Sequence, residues 1–383
     1  MTVDAIALAQ QLIRCASVTP ADAGAQDVLA AALEALGFRT ERLVFGTPPD
    51  GPVSNLFATI GNGHPHFAFA GHTDVVPVGD RSAWSVDPFA AVIADGQLVG
   101  RGANDMKSAI AAFVAAAAAH VARGRPGRLS LIITGDEEGP ASFGTAPLLE
   151  WLEAHDLVPD LCLVGEPTSA RVLGDMIKIG RRGSLNAWIT VNGAQGHVAY
   201  PQRADNPITR LVAILGELKG RLLDEGNAWF QPSNLEVTDL SINGGAGNPA
   251  TNMIAAQASA RLNIRFNDAH RGADLEAWIR QVVADHAPSA DVRVVISGEA
   301  FFTAPGDFSA LVVDAVQTVT GLAPELSTSG GTSDARFIRR LCPVVEFGLP
   351  GATMHKADES VAVADVAALT AIYDGVLQRV FAV

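Results

Sequence analysis

Four apolar, β-prone runs in this chain each give way to a short segment carrying His, Asp or Glu. Phe67-Ala-Phe-Ala70 leads into Gly71-His-Thr-Asp-Val-Val-Pro77, and Leu129-Ser-Leu-Ile-Ile133 into Thr134-Gly-Asp-Glu-Glu-Gly-Pro140. Leu161-Cys-Leu-Val164 leads into Gly165-Glu-Pro-Thr168, and Val344-Val-Glu-Phe347 is followed by Met354-His-Lys356. Open α/β sheets collect their ligands at the carboxyl ends of their strands. A chain patterned this way is therefore constrained to bring its polar segments to one edge of a sheet. A fifth segment, Gly100-Arg-Gly-Ala-Asn-Asp-Met-Lys107, stands just before an alanine-rich helix.

The first half alternates helix and strand patterns. Helical periodicity is expected over Asp4 to Arg14, Gln26 to Leu36, Met106 to Arg123 and Ala146 to His155. Strands are expected over Asn55 to Ile60, His66 to Ala70, Leu129 to Thr134 and Asp160 to Val164. That order predicts a mainly parallel central sheet covered on both faces. From about Gly180 the pattern changes. Strands over Ser184 to Val191, Asn234 to Ile242, Met253 to Phe266 and Val292 to Ile296 alternate with helices from Asn206-Pro207 to about Leu223 and over Gly272 to Ala287. The order is β-α-β-β-α-β, the ferredoxin-like arrangement. After it, a helix over Asp307 to Thr320 resumes the earlier style. The expected α/β organisation is thus a catalytic domain of residues 1–179 and 297–383 interrupted by an inserted domain of residues 180–296.

At 383 residues, two domains are the natural expectation. A net charge of −14 argues against a nucleic-acid partner, because phosphate binding rests on clustered Lys and Arg. The start, Met1-Thr-Val-Asp-Ala-Ile-Ala, lacks a basic region ahead of an apolar stretch. The longest apolar candidate, Ala109 to Val121, is shorter than a bilayer span, so no membrane partner is expected. Cys15, Cys162 and Cys342 are widely spaced and form no Cys-x-x-Cys pair, which suits a reducing cytoplasm. Gly244-Gly-Ala-Gly247 lacks the strand-to-helix setting of a phosphate loop. His64, His66, His120, His155, His270 and His286 read as ordinary core or surface residues.

The remaining His and acidic residues suit metal chemistry. His72 and Asp74, two apart at a strand end, point to one face, so Asp74 can hold the imidazole nitrogen that a metal leaves free. Asp105 has two carboxylate oxygens and can bridge two cations. Glu138 with His355 would complete one cation, and His72 with Glu166 the other. Nitrogen and oxygen donors without thiolate, three protein ligands per ion, match catalytic rather than structural zinc, with cobalt or manganese as substitutes. Glu137, beside the ions but not on them, can act as general base and then acid.

These segments, His72-Thr-Asp74, Gly100 to Lys107, Asp136-Glu-Glu138, Gly165-Glu-Pro167 and the late His355, resemble the di-zinc aminoacylase and carboxypeptidase superfamily over essentially the whole chain. Gly180-Arg-Arg-Gly-Ser184, Gly196-His-Val-Ala-Tyr-Pro201, Ser329-Gly-Gly-Thr-Ser-Asp-Ala-Arg-Phe337 and Glu346-Phe-Gly348 look most like its branch that hydrolyses the succinyl amide of N-succinyl-diaminopimelate. The resemblance implies two zinc ions per subunit, a small acyl amino acid substrate, and a homodimer paired through the inserted domain. It also implies that His197 reaches into the partner's site to stabilise an oxyanion. Arg181, Ser184, Tyr200, Asn252, Arg265 and Thr332 are carried over as substrate contacts, and Arg suits a substrate bearing several carboxylates. Three positions depart from the usual pattern: Gly351 where many relatives carry Asn, Ser108 where Gly is common, and Asn104 where a small residue is usual. Related deacylases, such as one for acetylornithine, peptidases, and non-catalytic binding members remain alternatives.

Overall fold

The computed structural model describes residues 2–382. Contacts divide the chain into two compact units, one running to Ile179 with Thr303–Ser327 and Ser333 onwards, the other Gly180–Phe302 with Thr328–Thr332.

The first unit is built on an eight-stranded sheet. Its order is Arg39–Phe45, Val53–Asn62, Gly127–Thr134, His66–His72, Leu161–Val164, Val344–Glu346, Met176–Lys178 and Glu325–Ser327. The four central strands run parallel, and Val53–Asn62 joins them antiparallel. Their register decides where the polar segments go. His72 pairs with Thr134, Ala70 with Val164, and Val164 with Glu346, so all four strands end side by side.

The alanine-rich helix Ser108–Arg123 packs against this sheet. Alanine has the highest helix propensity and no side-chain entropy to lose. Ile110, Phe113, Val114 and most of the alanines are buried, and the Phe113 ring stacks on Phe69 at 4.1 Å with Tyr373 edge-on to both. The stretch Ala103–Arg123 is long and apolar enough by composition to cross a bilayer, yet most of it lies inside the fold. Regular helix begins at Ser108 rather than at Met106, because Asp105 and Met106 adopt φ of −120° and −133° and extend the chain just before it.

The second unit is a four-stranded antiparallel sheet, ordered Asn234–Ile242, Gln257–Phe266, Gly183–Asn192 and Asp291–Gly298. With helices Pro207–Gly220 and Gly272–His286 this is the β-α-β-β-α-β arrangement. Leu185, Ala187, Ile189 and Val191 alternate onto the helix-covered face and meet Leu211, Ile214, Leu262, Ile264 and Ile279. Each fully buried Val, Leu or Ile side chain there contributes on the order of 2 kcal/mol. The expected single strand from Met253 to Phe266 is instead two, Met253–Ile254 and Gln257–Phe266. The Asn243 side-chain oxygen accepts the N–H groups of Ala256 (3.1 Å) and Gln257 (3.3 Å) and so takes two donors out of the ladder.

Candidate metal centre

The parallel strand ends of the first unit carry the site. His72 is the last residue of its strand and 1 % exposed. Its Nε2 lies 3.1 Å from Asp105 Oδ1 and 3.6 Å from Glu166 Oε1. The other oxygen of Asp105, Oδ2, lies 3.3 Å from His355 Nε2, which is 2.9 Å from Glu138 Oε1. Asp105 therefore offers one oxygen to each of two imidazoles. The donor atoms of His72, Asp105 and Glu166, those of Asp105, Glu138 and His355, and those of His72, Glu137 and Glu138 form three groups whose members all lie within 4.8 Å of one another, and the first two share Asp105.

Local backbone explains these positions. Gly102 has φ of +83°, and a Cβ there would meet Val75 Cγ1 at 2.7 Å, so only glycine lets the chain turn tightly into Asp105. His355 itself adopts φ of +61°. Asn104, one of the departures, is buried and donates from Nδ2 to the Pro350 carbonyl at 2.7 Å. Gly351 opens a short turn and donates to the Ser169 carbonyl at 3.1 Å, so its backbone is engaged. Ser108 is buried at the start of its helix.

Asp74 sits differently from the sequence expectation. His72 Nδ1 lies 2.9 Å from the Asp74 backbone carbonyl, closer than the 3.6 Å to its carboxylate. The carboxylate turns instead to the next strand end, accepting the N–H groups of Glu137 (3.2 Å) and Glu138 (3.0 Å). Residue 74 thus orients His72 through its carbonyl and the paired glutamates through its side chain.

Electrostatics agree with this crowding of carboxylates. Burial pushes the His72 imidazole down, but Asp105, Asp74 and Glu166 outweigh it and raise it well above its ordinary value. Hydrogen bonding to Asp105 and Glu138 lifts His355 to about 10 despite partial burial. Burial opposes ionisation of Asp105, yet His355 and His72 together hold it below the usual carboxylate range. Glu137 is pushed well up, first by burial and then by Glu166. Positive charge among these groups is strongly favoured, and the donor set of imidazole nitrogens and carboxylate oxygens without thiolate fits a metal ion.

Two residues beside Glu137 were not singled out as site residues. Arg336 Nη1 lies 4.0 Å from Glu137 Oε1 and 4.0 Å from Asp334 Oδ1. Asp334 is buried, and its Oδ2 accepts from Thr145 Oγ1 at 2.6 Å. Both lie inside the Ser329 to Phe337 segment, which was the available signal.

The chain matches the model of peptidase family M20/M25/M40 over residues 68–379. The chain belongs to that family. Among M20 relatives it is 62% identical over 380 residues to a succinyl-diaminopimelate desuccinylase of Rhizorhabdus wittichii, covering 99% of each chain. Its fold is similar to the M20 metallo-carboxypeptidase Sso-CP2 of Sulfolobus solfataricus (TM-score 0.81, 16% identity, 99% of this chain and 100% of that one). It is also similar to the Bacillus subtilis YXEP protein, described as a dinuclear metal-binding M20 peptidase (TM-score 0.69, 15% identity, 99% of this chain and 97% of that one).

The other expected M20 site residues belong to the second unit. His197 is exposed, its Nδ1 accepting the Ala199 N–H at 3.1 Å and its Nε2 lying 3.4 Å from Asn252 Nδ2. The Tyr200 ring is 5.8 Å from the His197 ring. Ser184 and Arg265 are direct cross-strand partners and so share one face of their sheet. Arg181 is buried, and its Nη1 donates to the Gly331 carbonyl at 3.3 Å, next to Thr332.

Proposed function

We propose that this chain is a succinyl-diaminopimelate desuccinylase, hydrolysing N-succinyl-LL-diaminopimelate to succinate and LL-diaminopimelate for lysine and cell-wall precursor synthesis. The observation that carries the reading is the pair of three-residue donor groups sharing Asp105, with Glu137 alongside. The 62% identity to a desuccinylase across nearly the whole chain supports the substrate.

In this reading His72, Asp105 and Glu166 would hold one zinc ion, and Asp105, Glu138 and His355 the other. Bound zinc supplies Lewis acidity toward the amide carbonyl and lowers the pKa of water. The chain's own residues then handle the protons. Glu137, fixed through its backbone N–H to Asp74, accepts the proton of the attacking water on a carboxylate oxygen and returns it to the departing amine nitrogen. Arg336, across from Glu137 and Asp334, offsets negative charge in that corner. Arg181, Ser184, Tyr200, Asn252, Arg265 and Thr332 bind the carboxylates and amine of the substrate, with arginine forks suited to carboxylate.

The same reading makes the enzyme a homodimer. The strands Asn234–Ile242 and Asp291–Gly298 are edges of the second unit's sheet and offer backbone groups for pairing. His197, exposed on that unit, is then the donor to the oxyanion in the partner's site. Three free cysteines suit a reducing cytoplasm.

The test is a substrate panel on zinc-reconstituted protein: succinyl-diaminopimelate, acetylornithine and dipeptides. A clear preference for acetylornithine or a dipeptide defeats the substrate assignment. No hydrolysis of any amide by metal-loaded protein defeats the enzymatic one.

A further inference from the structure

A buried ion pair lies behind the metal centre. Glu359 is fully buried and Arg101 is 2 % exposed, with Arg101 Nη1 donating to Glu359 Oε2 at 2.6 Å. Glu359 Oε1 accepts the backbone N–H groups of Asn104 (2.8 Å) and Asp105 (3.0 Å), and its carbonyl accepts that of Gly100 at 2.8 Å. Arg101 donates from Nη1 to the Lys356 carbonyl and from Nη2 to the Pro77 carbonyl, both at 3.3 Å. Its guanidinium lies over the Trp84 ring, 5.2 Å from the centroid. The pair therefore touches the backbone beyond His72, at Asp105, and immediately after His355.

We propose that Arg101 and Glu359 are positioning residues that hold Asp105 and His355 in the geometry needed to share two cations. The inference rests on the ligand assignment made above. A buried ion pair adds little net stability, because desolvation offsets the attraction. Its consequence lies in what it orients. Glu359 presents acceptors on both oxygens, one toward two backbone N–H groups and one toward a guanidinium. A glutamine of nearly the same size has one acceptor oxygen and one NH2. Whichever way it turns, its NH2 group faces either the Asn104 and Asp105 N–H groups or Arg101, donor against donor. Loss of groups that orient ligands typically lowers metal affinity about 10–100-fold. Asp105 serves both ions, but the Glu138/His355 ion has both its shared carboxylate and its histidine loop tied to this pair, so it loses more.

The test uses the full chain, stripped of metal and titrated with Co2+ by calorimetry and visible absorption, as wild type, Glu359→Gln and Arg101→Met. Thermal unfolding of the metal-free forms reports whether each variant is folded. In wild type two ions bind. In folded Glu359→Gln at least one of the two ions dissociates about 10–100-fold more readily than in wild type and the Co2+ absorption bands change. A destabilised but otherwise neutral variant would lower the unfolding midpoint and leave affinities and bands alone, which overturns the proposal. Should Glu359→Gln fail to fold, Arg101→Met decides the matter, and wild-type affinity with wild-type bands counts against it. Failure of the wild-type chain to bind two ions strikes at the ligand assignment itself.

Discussion

Glu137→Gln separates proton transfer from metal binding more sharply than any other substitution in the site. Glutamine keeps the size and shape of the side chain. The position of the segment is set by backbone, since the N–H groups of residues 137 and 138 donate to Asp74 at 3.2 and 3.0 Å whatever side chain stands at 137. Donors from the two metal-type groups that share Asp105 are untouched, while one donor of the group formed by His72, Glu137 and Glu138 is changed, which the zinc count below checks. What disappears is an oxygen able to take a proton and give it back. A positioned general acid or base contributes about 10²–10⁴ in rate, and Glu137 serves in both directions, so the upper end applies. A loss of about 10⁴ in kcat corresponds to about 5 kcal/mol of transition-state stabilisation. Burial and the neighbouring Glu166 both oppose a negative charge at 137, so the metal-free variant should unfold at the same temperature as wild type or higher. The assay is steady-state hydrolysis of succinyl-diaminopimelate by zinc-loaded protein, with zinc counted per chain by elemental analysis. A Gln variant that holds wild-type zinc and keeps more than about a tenth of wild-type kcat refutes the proton-shuttle role.

Further outcomes follow from other parts of the chain. His355→Ala removes one donor from the Asp105/Glu138 group, and elemental analysis should find about one zinc per chain in place of two, with activity lost in parallel. His197→Ala should lower kcat with zinc content unchanged; in verified mixed dimers with Glu137→Ala subunits, part of the activity should return, and no recovery speaks against action across the dimer. His66 and His120 are both lowered to about 4, chiefly by burial, against an ordinary 6.5. Between those values the unfolded chain binds more protons than the folded one, so each contributes stability present above about 6.5 and lost as pH falls toward about 4. Replacing His120, whose ring lies 4.4 Å from that of Phe381, with Phe should flatten that slope in urea titrations of the metal-free protein at pH 7 and pH 5. An unchanged slope refutes the assignment for His120.

What could be read in advance depended on whether a feature was local. An apolar run ending in Gly-His-Thr-Asp or Gly-Asp-Glu-Glu declares both a strand and its polar end, and parallel strands put like ends together. That is why residues as far apart as His72 and His355 were expected at one site, and why the register of His72 against Thr134 places the glutamates beside the histidine. Features without that local signature were lost. The edge strand Arg39–Phe45 is largely exposed and carries Arg39, Glu41 and Arg42, so it shows no apolar alternation. Met176–Lys178 is three residues long and has no periodicity to detect. The direction of the Asp74 carboxylate depends on where another strand's turn offers its N–H groups, which period-two geometry at positions 72 and 74 does not contain. The Arg101–Glu359 pair spans 258 residues of sequence. Arg101 stood within a recognised motif with no role of its own, and Glu359 within no motif at all. Only the closing of the His355 loop over the Asp105 turn turns these two charges inward, where they set the backbone that the ligands ride on. The chemistry was thus legible in the residues that point at the ions, while the residues that aim them became visible only once the chain was folded.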